Sequence, residues 1–304
     1  MRLRPTLIVG LGLALLAPAA SAQNSMDDVE IEATEVTPSI HMLKGAGGNL
    51  AVCVGVDGAF LVDDQYAPLS DRIKAAIAKI HDGDVRFVIN THWHGDHTGG
   101  NENFGDAGSL IVAHDNVRAR MAVENVSTLF DRTTPPSPEG ALPVVTFNDE
   151  ITFHLNGETI HAFHVPNAHT DGDAIIHFVD ANVIHAGDVL FNRLFPFIDT
   201  DSGGSIDGMI AAVERILALC DADTRVIAGH GDIAGIDDMK DYLAMLTDLR
   251  AKIERRVDEG MDLDAVLESR PTAGYEEWNW GFIDEETFTS IVFGDLAGRA
   301  PSGE

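Results

Sequence analysis

Apolar and polar positions fall into two successive blocks of strand-like runs, and each block is followed by amphipathic helical stretches. In the first block, Ile40 to Asp64 reads as strands broken around Gly45, Gly47 and Gly48. Asn49 to Val54 is apolar and partly β-branched, Asp57-Gly58 is a turn, and Ala59 to Val62 is the returning strand. Leu69 to Ile80 carries apolar residues at helical spacing, with Ser70 as the expected N-cap. Val85 to Asn90 is a strand of the buried type ending at Thr91, and Leu110 to Ala113 is another short strand before a helix beginning at Val117. Arg132 to Pro143, with four prolines, is expected to be a loop.

The second block repeats the scheme. Ile151 to Leu155, Ile160 to His164, Ala174 to Val179, Val183 to Ala186 and Arg225 to Ala228 read as strands, and Ile206 to Cys220 and Asp237 to Asp258 as helices. The order predicts an α/β protein: an αββα sandwich of two mixed β-sheets flanked by helices. One domain is expected over 37–260, preceded by an acidic lead-in at 23–36. A C-terminal helical extension at 261–304 is expected to pack on it, partly through Tyr275, Trp278 and Trp280.

The first residues do not belong to that pattern. Arg2 and Arg4, an apolar run from Leu7 to Leu16 and the small-residue triplet Ala20-Ser21-Ala22 predict a signal peptide over 1–22, cleaved after Ala22. The apolar run is too short for a bilayer span, so no stable membrane insertion and a periplasmic or secreted location are expected. Loss of two arginines with no acid takes the formal charge from -29 to -31. Such a field repels polyanions, which argues against a nucleic-acid partner and for a small-molecule substrate. A monomer is expected. Cys53 and Cys220 read as small buried residues, although an oxidising compartment would allow them to pair.

The chemistry concentrates in THWHGDHTGG, Thr91 to Gly100, which places His92, His94, Asp96 and His97 within six residues after a buried strand. Imidazole and carboxylate are ready zinc ligands. In extended chain His92 and His94 would point the same way, and a turn at Gly95 would swing Asp96 and His97 to a neighbouring point. One loop could then serve two metals. The H-x-H-x-D-H spacing resembles the signature of the metallo-β-lactamase superfamily. The resemblance implies three further ligands: His169 in PNAHTDGD, Asp188 in HAGD and His230 in IAGHGD. It implies one Zn2+ on His92, His94 and His169, and a second on Asp96, His97 and His230, with Asp188 shared. The N and O donors suit zinc and also admit iron or manganese. The remaining histidines read as structural, with His114, His164 and His185 near enough to support ligands.

By resemblance, the expected function is zinc-dependent hydrolysis of the amide bond of β-lactam rings, with broad substrate range and Asp96 as the catalytic group orienting the attacking hydroxide. Alternatives are another small ester, thioester, lactone or phosphodiester, or a non-catalytic zinc-binding partner of a periplasmic redox system. The last resembles superfamily members with a segment like Gly203 to Ile210. Asp188 stands where the largest dizinc lactamase subclass has cysteine, and Phe191 where quorum-quenching lactonases have tyrosine. Arg193 is expected to meet a substrate carboxylate. Phe191, with Phe195, Pro196 and Phe197, is expected at the substrate rim, and Lys44 to Gly48 as a flap.

Overall fold

The structure is a computed structural model that describes residues 26–298. The expected signal peptide lies outside the described residues. Strands β1 (Glu32–Glu35), β2 (Ile40–Lys44), β3 (Leu50–Gly55), β4 (Gly58–Val62), β5 (Val85–Ile89) and β6 (Leu110–His114) belong to one sheet. A two-stranded hairpin follows, β7 (Asn125–Ser127) and β8 (Arg132–Thr134), before β9 (Val145–Phe147) closes the first sheet. That sheet has the order β1-β2-β3-β4-β5-β6-β9. It is antiparallel from β1 to β4 and parallel from β4 to β9.

The second sheet contains β10 (Glu150–Leu155), β11 (Glu158–His164), β12 (Ala174–Phe178), β13 (Val183–His185) and β14 (Arg225–Ile227) in that spatial order. Only its β13–β14 pair is parallel. Both sheets are therefore mixed, as expected.

Strand periodicity explains the layering. In β3, Ala51 and Cys53 face the second sheet, where they join Phe60, Ile160, Ile176 and Phe178 in the inter-sheet core. Leu50 and Val52, on the opposite face, pack with Leu69 and with Ile73 and Ile77 of helix α1 (Ser70–Ile80). Two one- to two-turn helices, α2 (Gly95–Thr98) and α3 (Asn101–Asp106), and then α4 (Asp115–Met121) fill the connections of the first sheet. The outer face of the second sheet, through Phe163, Ile175, Ile184 and Val226, is covered by α5 (Ile206–Leu217) and α6 (Ile236–Asp258). The extension adds α7 (Leu263–Glu268) and α8 (Glu285–Ala297) to the same core through Val266, Phe288, Ile291 and Val292.

Several local expectations are corrected. Ser70 is the first residue of α1 rather than its cap, and its hydroxyl donates to the Ala67 carbonyl at 3.0 Å. Residues 32–35 of the acidic lead-in form β1, an edge strand with every residue exposed. Its sequence, Glu-Ala-Thr-Glu, has no apolar alternation to announce a strand. The supposed loop from Arg132 begins as β8, paired in register with β7. Cys53 and Cys220 are both free thiols, in keeping with their reading as small unpaired residues, Cys53 buried and Cys220 half-buried. Among the described residues no helix is long and apolar enough to cross a membrane.

The extension is joined to the body by aromatic packing: Phe288 is fully buried and stacks on Phe195 at a centroid distance of 5.1 Å. Removing a buried ring leaves a cavity as well as losing its transfer energy, so Phe288→Ala is expected to cost about 3–5 kcal/mol. A urea denaturation series on the two proteins measures this. An unchanged midpoint would mean that α8 contributes nothing to the cooperative unit.

Candidate metal centre

Seven side chains meet beyond the carboxyl ends of β5, β13 and β14, with the β11–β12 connection supplying one of them. They form two groups, His92, His94, His169 and Asp188 in one and Asp96, His97 and His230 in the other, each with donor atoms within 4.8 Å of one another. In the first, His94 Nδ1 lies 3.1 Å from His92 Nε2 and 2.9 Å from His169 Nε2. In the second, Asp96 Oδ2 lies 3.6 Å from His97 Nε2 and 3.4 Å from His230 Nε2. Asp188 reaches both groups: its Oδ1 is 3.1 Å from His97 Nε2, and its Oδ2 is 3.8, 3.6 and 3.5 Å from Nε2 of His92, His169 and His230. All seven residues named from the sequence are thus brought together.

The local path differs from the one expected. His92 and His94 are not on one extended face. His94 sits at the N-cap of α2, and its ring is at 89° to that of His92. It therefore offers Nδ1 where the other imidazoles offer Nε2. The turn at Gly95 is α2 itself.

The outward nitrogens show that inward lone pairs are what the site is built to present. His97 Nδ1 contacts the fully buried Asp63 carboxylate at 2.7 Å. His94 Nε2 contacts Asp199 Oδ2 at 2.9 Å, and His169 Nδ1 contacts the Phe197 carbonyl at 2.8 Å. The Thr91 hydroxyl lies 2.8 Å from Asp63 Oδ2, to which it donates, and 3.0 Å from His92 Nδ1, from which it accepts. Each contact holds a proton on the outward nitrogen and leaves the inward one able to coordinate.

This geometry leaves a deficit of positive charge. His97 Nε2 and Asp188 Oδ1 are buried, face each other and have no hydrogen-bond partner. Two acceptors in that relation repel unless a proton or a metal ion lies between them. The donor set, five imidazoles and two carboxylates, fits zinc.

Titration behaviour follows the same layout. Burial pushes His97 down, but Asp188, Asp96 and Asp63 outweigh it and raise it well above the ordinary imidazole range. His230 likewise rises to about 9 against its burial, through Asp188 and Asp96. Burial, reinforced by neighbouring imidazoles, holds His92 well below the ordinary range. His169 falls to about 4, chiefly by burial. Burial opposes ionisation of Asp96, yet His97 and His230 bring it down to about 2.

Asp63 and Asp199 were not legible as site residues; the only cue for Asp63 was a pair of acids directly after the apolar β4. Both backbone and neighbours fix it: Asp63 has φ of 59° and accepts from the Thr91 amide at 2.7 Å. Aromatic rings complete the walls. His230 meets Phe191, stacked at 5.2 Å, and Trp280 at 5.5 Å, and those two rings also touch each other at 5.9 Å. Phe197 stacks on His94 at 5.7 Å and touches Phe130 from the β7–β8 turn and Phe282 from the extension.

The outer assignments change accordingly. Phe191 is buried behind His230 rather than at a substrate rim, and Phe195 is core. Arg193 does not face the centre: its guanidinium bonds Asp238 at 3.0 Å and Asp241 at 2.8 Å on α6. The Lys44 to Gly48 loop is tied down at its Gly48 end. The Gly48 amide donates to the Asp96 carbonyl, the Gln65 amide bonds the Gly48 carbonyl, and a Cβ on Gly48 would lie 2.1 Å from the His97 ring. The Gly203–Ile210 segment packs under the His169 loop, with Gly204 too close to the His169 carbonyl for a side chain. Of the histidines expected near the ligands, His185 bonds the Asn49 carbonyl, His164 bonds the Asp173 carbonyl, and His114 and His164 stack on each other at 3.9 Å.

A two-sheet sandwich with a dinuclear donor set between strand ends defines a class, and sequence comparison places the chain in it. The profile described as the Metallo-beta-lactamase superfamily matches residues 48–230, and the chain belongs to that superfamily. It is 24% identical over 237 residues to the lactamase-like protein aptB of Emericella nidulans, covering 78% of this chain and 65% of that protein. It is 32% identical over 147 residues to a hydroxyacylglutathione hydrolase of Methylococcus capsulatus, covering 47% of each. The chain thus spans less than two thirds of the length of these curated relatives. A solved metallo-beta-lactamase from Pontibacter korlensis superposes with a TM-score of 0.60 at 16% identity, over 72% of this chain and 100% of that one.

Asp63→Asn is expected to weaken metal affinity about 10–100-fold, because the His97 tautomer loses its charged anchor. Competition with a chromogenic chelator measures it, and equal affinities would remove Asp63 from the site. Metal loading at pH 7.5 should also release a proton from each of His97 and His230, both held protonated in metal-free protein. Calorimetry in two buffers of different ionisation enthalpy reads that number, and no release would show both rings already neutral.

Proposed function

We propose that this protein is a dizinc hydrolase that opens a carbonyl-centred bond in a small molecule, with β-lactam amides as the leading substrate class. The observation that carries this is the set of inward lone pairs, held by Asp63, Thr91, Asp199 and the Phe197 carbonyl, around the orphaned pair His97 Nε2 and Asp188 Oδ1. His92, His94 and His169 would hold one ion and Asp96, His97 and His230 the other, with Asp188 common to both. Divalent ions held there supply a strongly acidified water and a Lewis acid for the carbonyl oxygen.

The chain's own groups do the rest. Asp96 is the acid open to solvent, with its side chain 23% exposed against 5% for Asp188. With its carboxyl brought down to about 2, Asp96 stays ionised throughout the neutral range and accepts a hydrogen bond from the attacking water, orienting it. Trp280 and Phe197 limit access of bulk water to His230 and His94. The strongly negative chain disfavours polyanionic substrates. The signal-peptide pattern puts the proposed site of action outside the cytoplasm.

A second assignment, thioester or ester hydrolysis, is favoured by Asp188 at the bridging position, by the similarity to a hydroxyacylglutathione hydrolase and by the engagement of Arg193 elsewhere.

Zinc-loaded protein is to be tested on a chromogenic cephalosporin, a lactone, a thioester, a nitrophenyl ester and a phosphodiester. Turnover should vanish with chelator, return with zinc and fall at least about 100-fold in Asp96→Asn. Cephalosporin hydrolysis supports the leading assignment, and turnover confined to thioester or ester supports the second. Full zinc occupancy with no turnover of any compound would sink both and leave a zinc-binding protein.

A further inference from the structure

Beside the metal-ligand loop lies a cavity that takes no part in the chemistry above. Its volume is about 130 Å³, and its lining includes Trp93, Gly95, Met121, Asn125, Thr134 and Ala141. Three separate segments build it. Trp93 and Gly95 come from the ligand loop itself, Met121 from the end of α4, and Asn125 and Thr134 are the paired residues at the open end of the β7–β8 hairpin.

Its position ties it to the reacting centre. Trp93 stands between two proposed ligands in sequence, and its indole lies 4.8 Å from the His94 ring. Gly95 precedes Asp96 and adds no side chain, so nothing from that position fills the space: no heavy atom stands within 4 Å of where its Cβ would be. The cavity therefore lies against the loop that carries His94 and Asp96, although neither side chain lines it. The size sets the group, since a cavity of about 150 Å³ can hold a benzene ring. The wall combines an indole, a methionine, an alanine and two prolines with the side chains of Thr98, Asn125, Thr134 and Ser137, and has no charged side chain.

We propose that this cavity is the subsite for an uncharged, phenyl-sized substituent on the carbonyl side of the substrate. The proposal rests on the hydrolase assignment and narrows it to acyl groups with an apolar ring or short branched chain. Thr134 and Met121 become specificity-determining residues, and the hairpin is present because it forms the outer wall.

Two measurements test this. The first is the ratio of kcat/KM for a phenylacetyl and an acetyl nitrophenyl ester on zinc-loaded protein. Thr134→Phe, which projects a ring into the space from a strand that tolerates aromatics, should lower that ratio about tenfold. Met121→Ala should raise the same ratio for a naphthylacetyl ester. The second needs no turnover. The Trp93 indole Nε1 is buried with no partner, so its N–H resonance, assigned with Trp93→Phe, reports the cavity. Titration of zinc-loaded protein with phenylacetamide should shift that resonance and leave those of Trp278 and Trp280 in place. A saturable shift with no turnover of the esters, the cephalosporin or any other compound of the panel would keep the cavity as a ligand site and refute the hydrolase assignment. Turnover with an unmoved Trp93 resonance and an unchanged ester ratio would overturn the subsite.

Discussion

Five imidazoles and two carboxylates share a space in which they cannot satisfy one another, and the rest of the molecule is arranged around that conflict. Burying unpaired carboxylates is expensive in any fold. Here the buried Asp188 lies within 3.8 Å of four ring nitrogens; acceptors behind His92, His97 and His169 keep those rings from turning away, and aromatic rings pack against His230. Only added positive charge relieves the crowding. Folding has already met most of the organisational cost of a metal site, so ions enter a frame whose ligands need little reorientation.

The sandwich supplies that frame because ligands from both sheets must arrive at one place. His92 to His97 follow β5 of the first sheet, whereas His169, Asp188 and His230 follow strands of the second. Asn49, at the start of β3, binds the two halves together where the site forms. Its side chain donates to the Ala228 and Gly231 carbonyls, its amide donates to the Gly229 carbonyl, and its own carbonyl receives His185. Close approach then replaces side chains near the ligands: a Cβ on Gly229 would stand 2.0 Å from Asp188 Oδ1.

Much of this was legible in the chain, for definable reasons. The two-block strand order and the ligands His92, His94, Asp96 and His97 rest on local signals, namely apolar runs and a dense histidine and aspartate motif after a strand; His169, Asp188 and His230 came from the resemblance to the superfamily, each lying near a strand end. Asp63 and Asp199 were not legible, because their role depends on which imidazole nitrogen folds back onto them, a relation between residues 34 and 105 positions apart. Arg193 misled because sequence proximity to Asp188 suggested a shared direction. A left-handed φ of 60° at Arg193 accompanies a side chain directed toward α6 instead. β1 and the β7–β8 hairpin escaped because exposed strands need no apolar alternation, only a partner edge.

Trp280 gives the centre a chronology. It covers His230 but is made fifty residues later. At about 5–20 residues per second, a ribosome leaves that gap open for roughly 3–10 s. During synthesis the last imidazole therefore emerges without its indole shield.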